Sequence, residues 1–475
     1  MQALPKIIQG GMGVAVSNWV LANAVSRLGQ LGVVSGTALD AVLSRRLQDG
    51  DPGGHMRRAI SHFPFPGLAG RVLERHFIEG GRPAGAPYRA LPMFARQGSA
   101  RELVELCITA NFVEVFLARE GHEGPVGINY LEKIQLPVLP SIYGAMLAGV
   151  AVVIMGAGIP TRVPGILDAF THHAEAEYPL NVTGSQPGED TMMRFSPSDW
   201  IEGVPAELLR PRFLPIISSN SLAHTLSRKA NGRIDGFIVE APTAGGHNAP
   251  PRGNPPLSAA GMPVYGERDR VDLGKLREIG LPFWLAGGRG TAEGLSDALA
   301  SGAAGIQVGT AFAYCDESGL EAGTKDQVLR LAASGGAQVF TDPVASPTGF
   351  PFKVVQLEGT LSSAADYQAR PRICDLGYLR EPYRREDGTI GYRCASEPIT
   401  HYIAKGGQED SAQGRKCLCN ALLADIGLAQ TRAGIAEKAL LTSGDDVADI
   451  ARFLPPGATS YRAAEVVARL LATGS

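Results

Sequence analysis

PFWLAGGRGTAEGLSDALASGAAGIQVGT, residues 282–310, is the stretch whose reading decides the fold. FWLA is an apolar run without alternation, which suits a strand buried on both faces. It stops at GGRG (287–290), and a helical pattern begins near Thr291 and runs through GLSDALASG (294–302). AAGIQVGT (303–310) then repeats the buried strand and again ends in a glycine turn. Strand, glycine turn, helix and strand make a βαβ unit, whose two strands lie parallel.

The unit recurs on the N-terminal side. KIIQG (6–10) precedes WVLANAVSRLG (19–29), whose apolar positions follow helical spacing, and LGVVSG (31–36) precedes the helical ALDAVLSRRL (38–47). Further strands are predicted at VEVFLA (113–118), VAVVIMG (150–156), YPLNVTG (178–184), FLPIIS (213–218) and IDGFIVEA (234–241). An open doubly wound sheet and a closed barrel both give this alternation. GGMGVAV after the first strand lacks the dinucleotide-binding glycine spacing, and no acidic residue ends the second strand. Glycine-rich strand ends along the chain therefore favour an α/β fold of the TIM-type (β/α)8 barrel class.

Two stretches break the rhythm. Residues 50–98, rich in Gly, Pro, His and Arg, form an excursion between strands, so the barrel is placed at 1–324. From 325 to 475 the pattern is that of a second, mixed and mostly helical domain. There KVVQLEG (353–359) reads as a strand and YRREDGTIGYRC (383–394) as a hairpin turning at Asp387-Gly388. ALLADIGLAQ, DVADIARFL and AAEVVARLL in the same domain read as helices.

Composition limits the function classes. The chain has 475 residues, 44% of them apolar and 19% charged, enough to bury a large core. Its 44 basic and 47 acidic residues leave a net charge of −3, with no electrostatic footprint for nucleic acid or an anionic membrane. The apolar VAVVIMGAGI (150–159) is half of a membrane span. The N-terminus shows no charged-then-apolar leader and the six cysteines are too sparse for a disulfide scaffold, so a cytoplasmic location is expected.

In a barrel, loops at the C-terminal ends of the strands carry the chemistry, and the last two often build a phosphate site. Gly287 and Gly288 end one predicted strand, and Gln307, Gly309 and Thr310 close the next. Glycines there let backbone N–H groups approach phosphate oxygens, helped by the following helix N-terminus. Ordinary strand-to-helix turns would look the same singly; two on consecutive strands point to a phosphate-bearing ligand. AGGHN (244–248) follows IDGFIVEA, so the backbone at Gly246 can lie against a flat ligand while His247 projects over it as a proton-transferring group. The alternative for His247 is a loop histidine bonded to backbone. Cys374, Cys394, Cys417 and Cys419 fall within the second domain; their spacing is unconventional for a tetrahedral site, so free thiols are expected and no metal is assigned.

IIQGGMG, LGVVSGT, GINY (127–130), AGGHN, LAGGRG and GIQVGTAF occur here in the order found in nitronate monooxygenases, and the chain resembles that family over about residues 1–320. It is also similar to the flavin-containing enoyl-acyl-carrier-protein reductases and to the enoyl reductases acting in trans on polyunsaturated fatty acid synthases. The resemblance implies an FMN-binding barrel. It implies that Gly10, Gly11 and Met12 lie along the flavin ring and that Asn129 hydrogen-bonds the cofactor. Gly287, Gly288, Gln307, Gly309 and Thr310 correspond to the phosphate cradle and His247 to the proton-transferring histidine. Glu240 stands where the family often has Gln; a carboxylate there would disfavour an anionic reduced flavin unless it is protonated or paired. AGGHN continues into APPRGNPP, a variant that leans toward the synthase-associated reductases.

The leading expectation is FMN-dependent oxidation of nitroalkanes or nitronates with O2, His247 taking the proton from a neutral nitroalkane. The alternative is an enoyl-thioester reductase of fatty acid or polyketide synthesis with NAD(P)H as electron donor, and a third is a non-catalytic barrel subunit that binds a phosphate ligand. The expected partner is a small-molecule or acyl-thioester substrate, with homo-oligomerisation or association with a fatty acid or polyketide synthase left open.

Overall fold

Eight short parallel strands close into a barrel: β1 (Ile7–Gln9), β2 (Leu31–Ser35), β3 (Val126–Leu131), β4 (Val152–Gly156), β5 (Arg212–Ile217), β6 (Phe237–Glu240), β7 (Phe283–Ala286) and β8 (Gly305–Val308). The computed structural model describes residues 5–472 apart from 202, 204 and 205, so the outermost residues of the domain ranges given above lie outside it. Each strand pairs with its sequence neighbours, and β1 pairs with β8 in the register Ile7–Ile306, Ile8–Gln307 and Gln9–Val308. The α/β TIM-type barrel expected from the strand pattern is the observed fold.

Period-2 alternation sorts the strand residues between two cores. Ile8, Leu31, Val33, Val152, Ile154, Leu214, Ile238 and Trp284 fill the interior. Trp284 is buried and its indole N–H donates to the Pro5 carbonyl at 3.0 Å. Ile7, Val34, Val153, Phe237, Phe283, Leu285 and Ile306 face the surrounding helices. Helices start directly after the glycine loops because polar caps meet their free amides. Asn18 accepts from the Leu21 amide, Ser219 from Leu222 and Thr291 from Gly294. Among the described residues no helix is long and apolar enough to cross a membrane.

Two predicted strands are corrected. VEVFLA (113–118) lies inside the 19-residue helix Arg101–Arg119, which is buried over most of its circumference. A helix apolar all round loses its 3.6-residue signal, and a β-branched hexamer within it reads as a strand. Its two buried glutamates are paired, Glu105 with Arg71 and Arg101, Glu114 with Arg46 and the Trp19 amide. Of YPLNVTG (178–184), only Tyr178 and Pro179 are in a strand, the ribbon Ala176–Pro179 with Met192–Phe195 outside the barrel. The barrel position assigned to VEVFLA belongs to β3, which contains GINY.

The 50–98 excursion carries the helices His55–Ser61 and Pro66–His76 and lies between β2 and β3. Beyond the barrel strands come the helix Ala322–Ala333, the ribbon Val339–Asp342 with Phe352–Val355, and the hairpin Glu381–Arg384 with Ile390–Arg393 around Asp387-Gly388. A small core of Phe352, Val354, Leu361, Leu418, Ala421 and Leu440 holds this part together. The chain then returns: Val447, Ile450, Phe453, Val466 and Leu470 join the same hydrophobic core as the barrel helices. The last helix, Ala463–Leu471, packs on Trp19–Arg27 and Ala292–Ala300.

At the β1–β8 seam a Cβ on Gly305 would lie 1.9 Å from the Lys6 carbonyl oxygen, a backbone atom that cannot give way without opening the pairing. Gly305→Ala is expected to cost about 3 kcal/mol or more, at the upper end of overpacking substitutions. Chemical denaturation of both proteins checks this; a loss under about 1 kcal/mol would mean the seam is plastic.

Candidate active site

A cavity of about 200 Å³ opens at the C-terminal ends of the strands. The loop after β1 brings Gly10, Gly11 and Met12 to its wall, and β3 brings Asn129. Glu240 at the end of β6 and Gly246 and His247 in the following loop form a second side. Gly287 and Gly288 after β7, with Gln307, Gly309 and Thr310 at the end of β8, form the third. The structure thus brings every residue named from the sequence as a catalytic or cofactor-binding candidate into one cavity.

The first loop is shaped by two side chains the sequence reading did not single out. Buried Gln9 donates to the Ser17 hydroxyl at 2.9 Å and to the Val33 carbonyl at 3.2 Å, and accepts from the Val33 amide at 3.0 Å. Ser17 in turn donates to the Gly10 carbonyl at 2.9 Å and accepts from the Met12 amide at 3.0 Å. Close packing requires the glycine at Gly11, since a Cβ there would lie 2.4 Å from the Asn129 Cβ. Gly287 adopts φ +90°, and a Cβ on it would meet the Thr243 hydroxyl at 2.8 Å. Gln307, which lines the cavity, has its Oε1 buried with no hydrogen-bond partner, an unsatisfied acceptor at the cavity wall.

His247 is set by the chain beyond the barrel. The Lys353 amide donates to the Gly246 carbonyl at 3.0 Å and the Asn248 amide to the Pro351 carbonyl at 2.9 Å, so the histidine loop is paired with the 351–353 segment. The imidazole packs edge-on to Phe352, with ring centroids 4.8 Å apart, and its Nε2 lies 2.7 Å from the Ser346 hydroxyl. Ser346 Oγ lies 2.8 Å from Thr348 Oγ1 and accepts from the Thr348 amide at 3.2 Å. A free, proton-accepting Nδ1 requires Nε2–H to donate to Ser346, whose own proton then goes to Thr348. Burial, reinforced by the Lys133 ammonium, lowers the His247 pKa to about 4, so the ring is neutral at pH 7.

Glu240 is shifted in the opposite sense. Burial alone raises its pKa to about 8, so the group is a neutral carboxylic acid at pH 7. It lies between the main cavity and a smaller polar one lined by Asn248, Arg252, Tyr265 and Asp269. Two titratable groups pushed apart by one environment divide the roles of base and acid, His247 unprotonated and Glu240 protonated. A protonated Glu240 puts no negative charge on this side of the cavity.

Thr442, Ser443, Gly444 and Asp446 also line the cavity and were not foreseen. The Gly246 amide donates to Thr442 Oγ1 at 2.8 Å, Gly444 to Thr310 Oγ1 at 3.0 Å and Asp445 to the Thr243 carbonyl at 3.0 Å. In sequence, TSGDD reads only as a helix start; nothing local indicates that it returns over Thr310.

The C-terminal thiols lie apart from this cavity. Cys374 and Cys394 hydrogen-bond each other, Cys394 also lies 3.1 Å from the Ser396 hydroxyl, and the Asn420 amide donates to Cys417 Sγ at 3.5 Å. All four are free cysteines, and among the described residues no group of three or more His, Cys, Asp or Glu is arranged to hold a metal ion.

Residues 210–344, which hold β5 to β8 and both glycine turns, match the family model for nitronate monooxygenase. No curated protein matches the chain. Solved structures similar over 98% of this chain include FabK from Thermotoga maritima (15% identity, 91% of that chain, TM-score 0.48). A nitroalkane oxidase from Streptomyces ansochromogenes is similar at 16% identity over 94% of its chain, TM-score 0.44. The enoyl reductase domain of MlnA from the macrolactin cluster of Bacillus amyloliquefaciens is similar at 13% identity over 95% of its chain, TM-score 0.43. At this distance these likenesses carry no argument about chemistry, and the barrel rests on its own strand order.

Ser346→Ala removes the partner of His247 Nε2 while Phe352 keeps the ring in place. The ¹⁵N resonances of His247, assigned with a His247→Ala control, are expected to move toward a mixture of tautomers while the ring stays neutral at pH 7. An unchanged spectrum would remove Ser346 as the group that sets the tautomer.

Proposed function

We propose that this chain is an FMN-dependent oxidoreductase of the nitronate monooxygenase type, oxidising nitroalkanes or their nitronates with dioxygen. The observation that carries the reading is the meeting, in one cavity, of the glycine turns after β7 and β8 with a neutral base, His247, and a neutral acid, Glu240. The family match over 210–344 supports it.

The cavity's own residues fit FMN. Gln307 offers a buried acceptor without a partner, and Asn129 a second amide, to the polar edge of a flavin ring. Gly10, Gly11 and Met12 would lie along the ring. The turns at Gly287–Gly290 and Gly309–Thr310 would hold the terminal phosphate through backbone N–H donors. Bound FMN supplies the electron transfer between substrate and oxygen. His247, unprotonated at pH 7, accepts the α-proton of a nitroalkane; the anion formed beside the ring raises its hold on that proton.

One observation favours a second reading, NAD(P)H-dependent reduction of an enoyl thioester. That reaction needs an acid to protonate the α-carbon, and Glu240 remains protonated up to about pH 8 in the same cavity. Its protonated fraction falls as pH rises through that value, so reduction limited by this proton should decline above about pH 8. The Glu240→Gln enzyme is expected to be slow at every pH and to lack that decline; a wild-type limb that persists in the variant would assign it elsewhere.

The purified protein is expected to be yellow and to release FMN, without FAD, on heating. Gly309 has an ordinary negative φ, so Gly309→Asp should leave the fold intact while placing a carboxylate against the phosphate site. The variant should purify without flavin. Full occupancy would put the cradle elsewhere, and a colourless wild type that gains no flavin would favour a non-catalytic ligand-binding barrel.

His247→Ala separates the substrates. Loss of a positioned base typically costs about 10²–10⁴-fold in rate. Anaerobic reduction of the bound flavin by 2-nitropropane is expected to fall by that factor, while reduction by pre-formed propyl nitronate stays near wild type. Rapid reduction by NADPH without a nitro compound would move the assignment to the enoyl reductase reading; equal rates for both proteins on every donor would remove His247 from the reaction.

A further inference from the structure

We infer that Asp446 is a specificity-determining residue for the cofactor, a carboxylate lodged at the phosphate end of the cavity that limits how much a flavin's phosphate adds to binding. The inference rests on the FMN reading above. A Cβ placed on Gly290, in the turn after β7, would lie 3.3 Å from an Asp446 carboxylate oxygen and 3.3 Å from an Arg452 nitrogen. The Asp446 carboxylate is hydrogen-bonded to Thr310, the hydroxyl at the end of β8. Both stations of the cradle therefore already face a carboxyl group supplied by the chain itself.

The segment carrying this carboxylate is held firmly. Besides the three backbone contacts given above, Tyr314 and Ser443 share a hydroxyl hydrogen bond at 2.9 Å, and Lys353 Nζ lies 2.6 Å from Asp445 Oδ1. These anchors fix Gly444 over Thr310, and Asp446 follows two residues later. Burial pushes the Asp446 carboxyl upward, against the Thr310 hydroxyl and the Arg452 guanidinium, which favour its ionised form. Arg452 donates to the Gly290 carbonyl at 2.9 Å, and its Nε is buried without a partner. With Asp446 in place, a phosphate entering the turns meets a like charge. With Asp446 neutral or withdrawn, it meets the Thr310 hydroxyl and backbone amides.

FMN and riboflavin share the ring and the ribityl chain and differ by the phosphate, so their affinity ratio reads this end of the cavity alone. The test strips flavin from the full-length protein and titrates each flavin by quenching of its fluorescence, for wild type, Asp446→Asn and the smaller Asp446→Ser. Both substitutions are expected to tighten FMN about tenfold or more and to change riboflavin less than twofold. The FMN preference over riboflavin therefore rises by about the same tenfold. Two flavins that bind with an unchanged ratio in both variants overturn the inference and leave the FMN reading standing. A parallel weakening of FMN and riboflavin does the same, since it makes Asp446 a support of the cavity wall. If neither flavin binds wild type or either variant, the FMN reading falls and this inference with it.

Discussion

The pairing of β1 with β8 is the interaction on which the rest depends. Three residue pairs and the hydrogen bond from the Gly10 amide to the Val308 carbonyl, at 2.9 Å, turn an open parallel sheet into a ring. Closure sets Gly10 beside Gln307, where a Cβ would come within 3.3 Å of the amide side chain, and Met12 beside Gly309. The first and last loops of the barrel, about 300 positions apart in sequence, thereby become one wall. An open sheet of the same strands would lose both the interior core and the cavity.

That wall is finished by residues outside the barrel. The 351–353 segment pairs with the histidine loop, Ser346 holds the imidazole and the 442–446 segment lies across the turns after β6, β7 and β8. Burial shifts the site's two titratable groups in opposite senses. One low-dielectric environment disfavours both charged forms, so the carboxyl keeps its proton and the imidazole gives its proton up. For Glu240 burial is the whole cause, while for His247 the Lys133 ammonium adds to it.

Most of the barrel and the sequence-named cavity residues were legible in the chain because each signal is local. A buried parallel strand is a short apolar run, and a turn that must let backbone approach is a glycine at a fixed offset from it. Where two local signals compete, the reading failed. VEVFLA carries the composition of a strand but sits in a helix buried all round, while GINY, more polar, is the barrel strand. Partnerships across long separations left no trace. The contact between His247 and Ser346 spans 99 residues and that between Gly444 and Thr310 spans 134. Ser346, Asp446 and Gln9 are ordinary in their local sequence and acquire their positions only through packing.

The last helix, Ala463–Leu471, is wedged between the helix that follows β1 and the one that follows β7, and it shares their core. Ala463 lies 436 residues after Arg27 (463 − 27), so the helix after β1 is synthesised long before this neighbour. Until then the helix Trp19–Arg27 lacks part of its cover. The nascent chain thus presents an incomplete apolar surface while the excursion and all eight strands emerge, the situation in which non-native association competes with folding. The barrel's outer layer is therefore completed by a contact between helices made far apart in time.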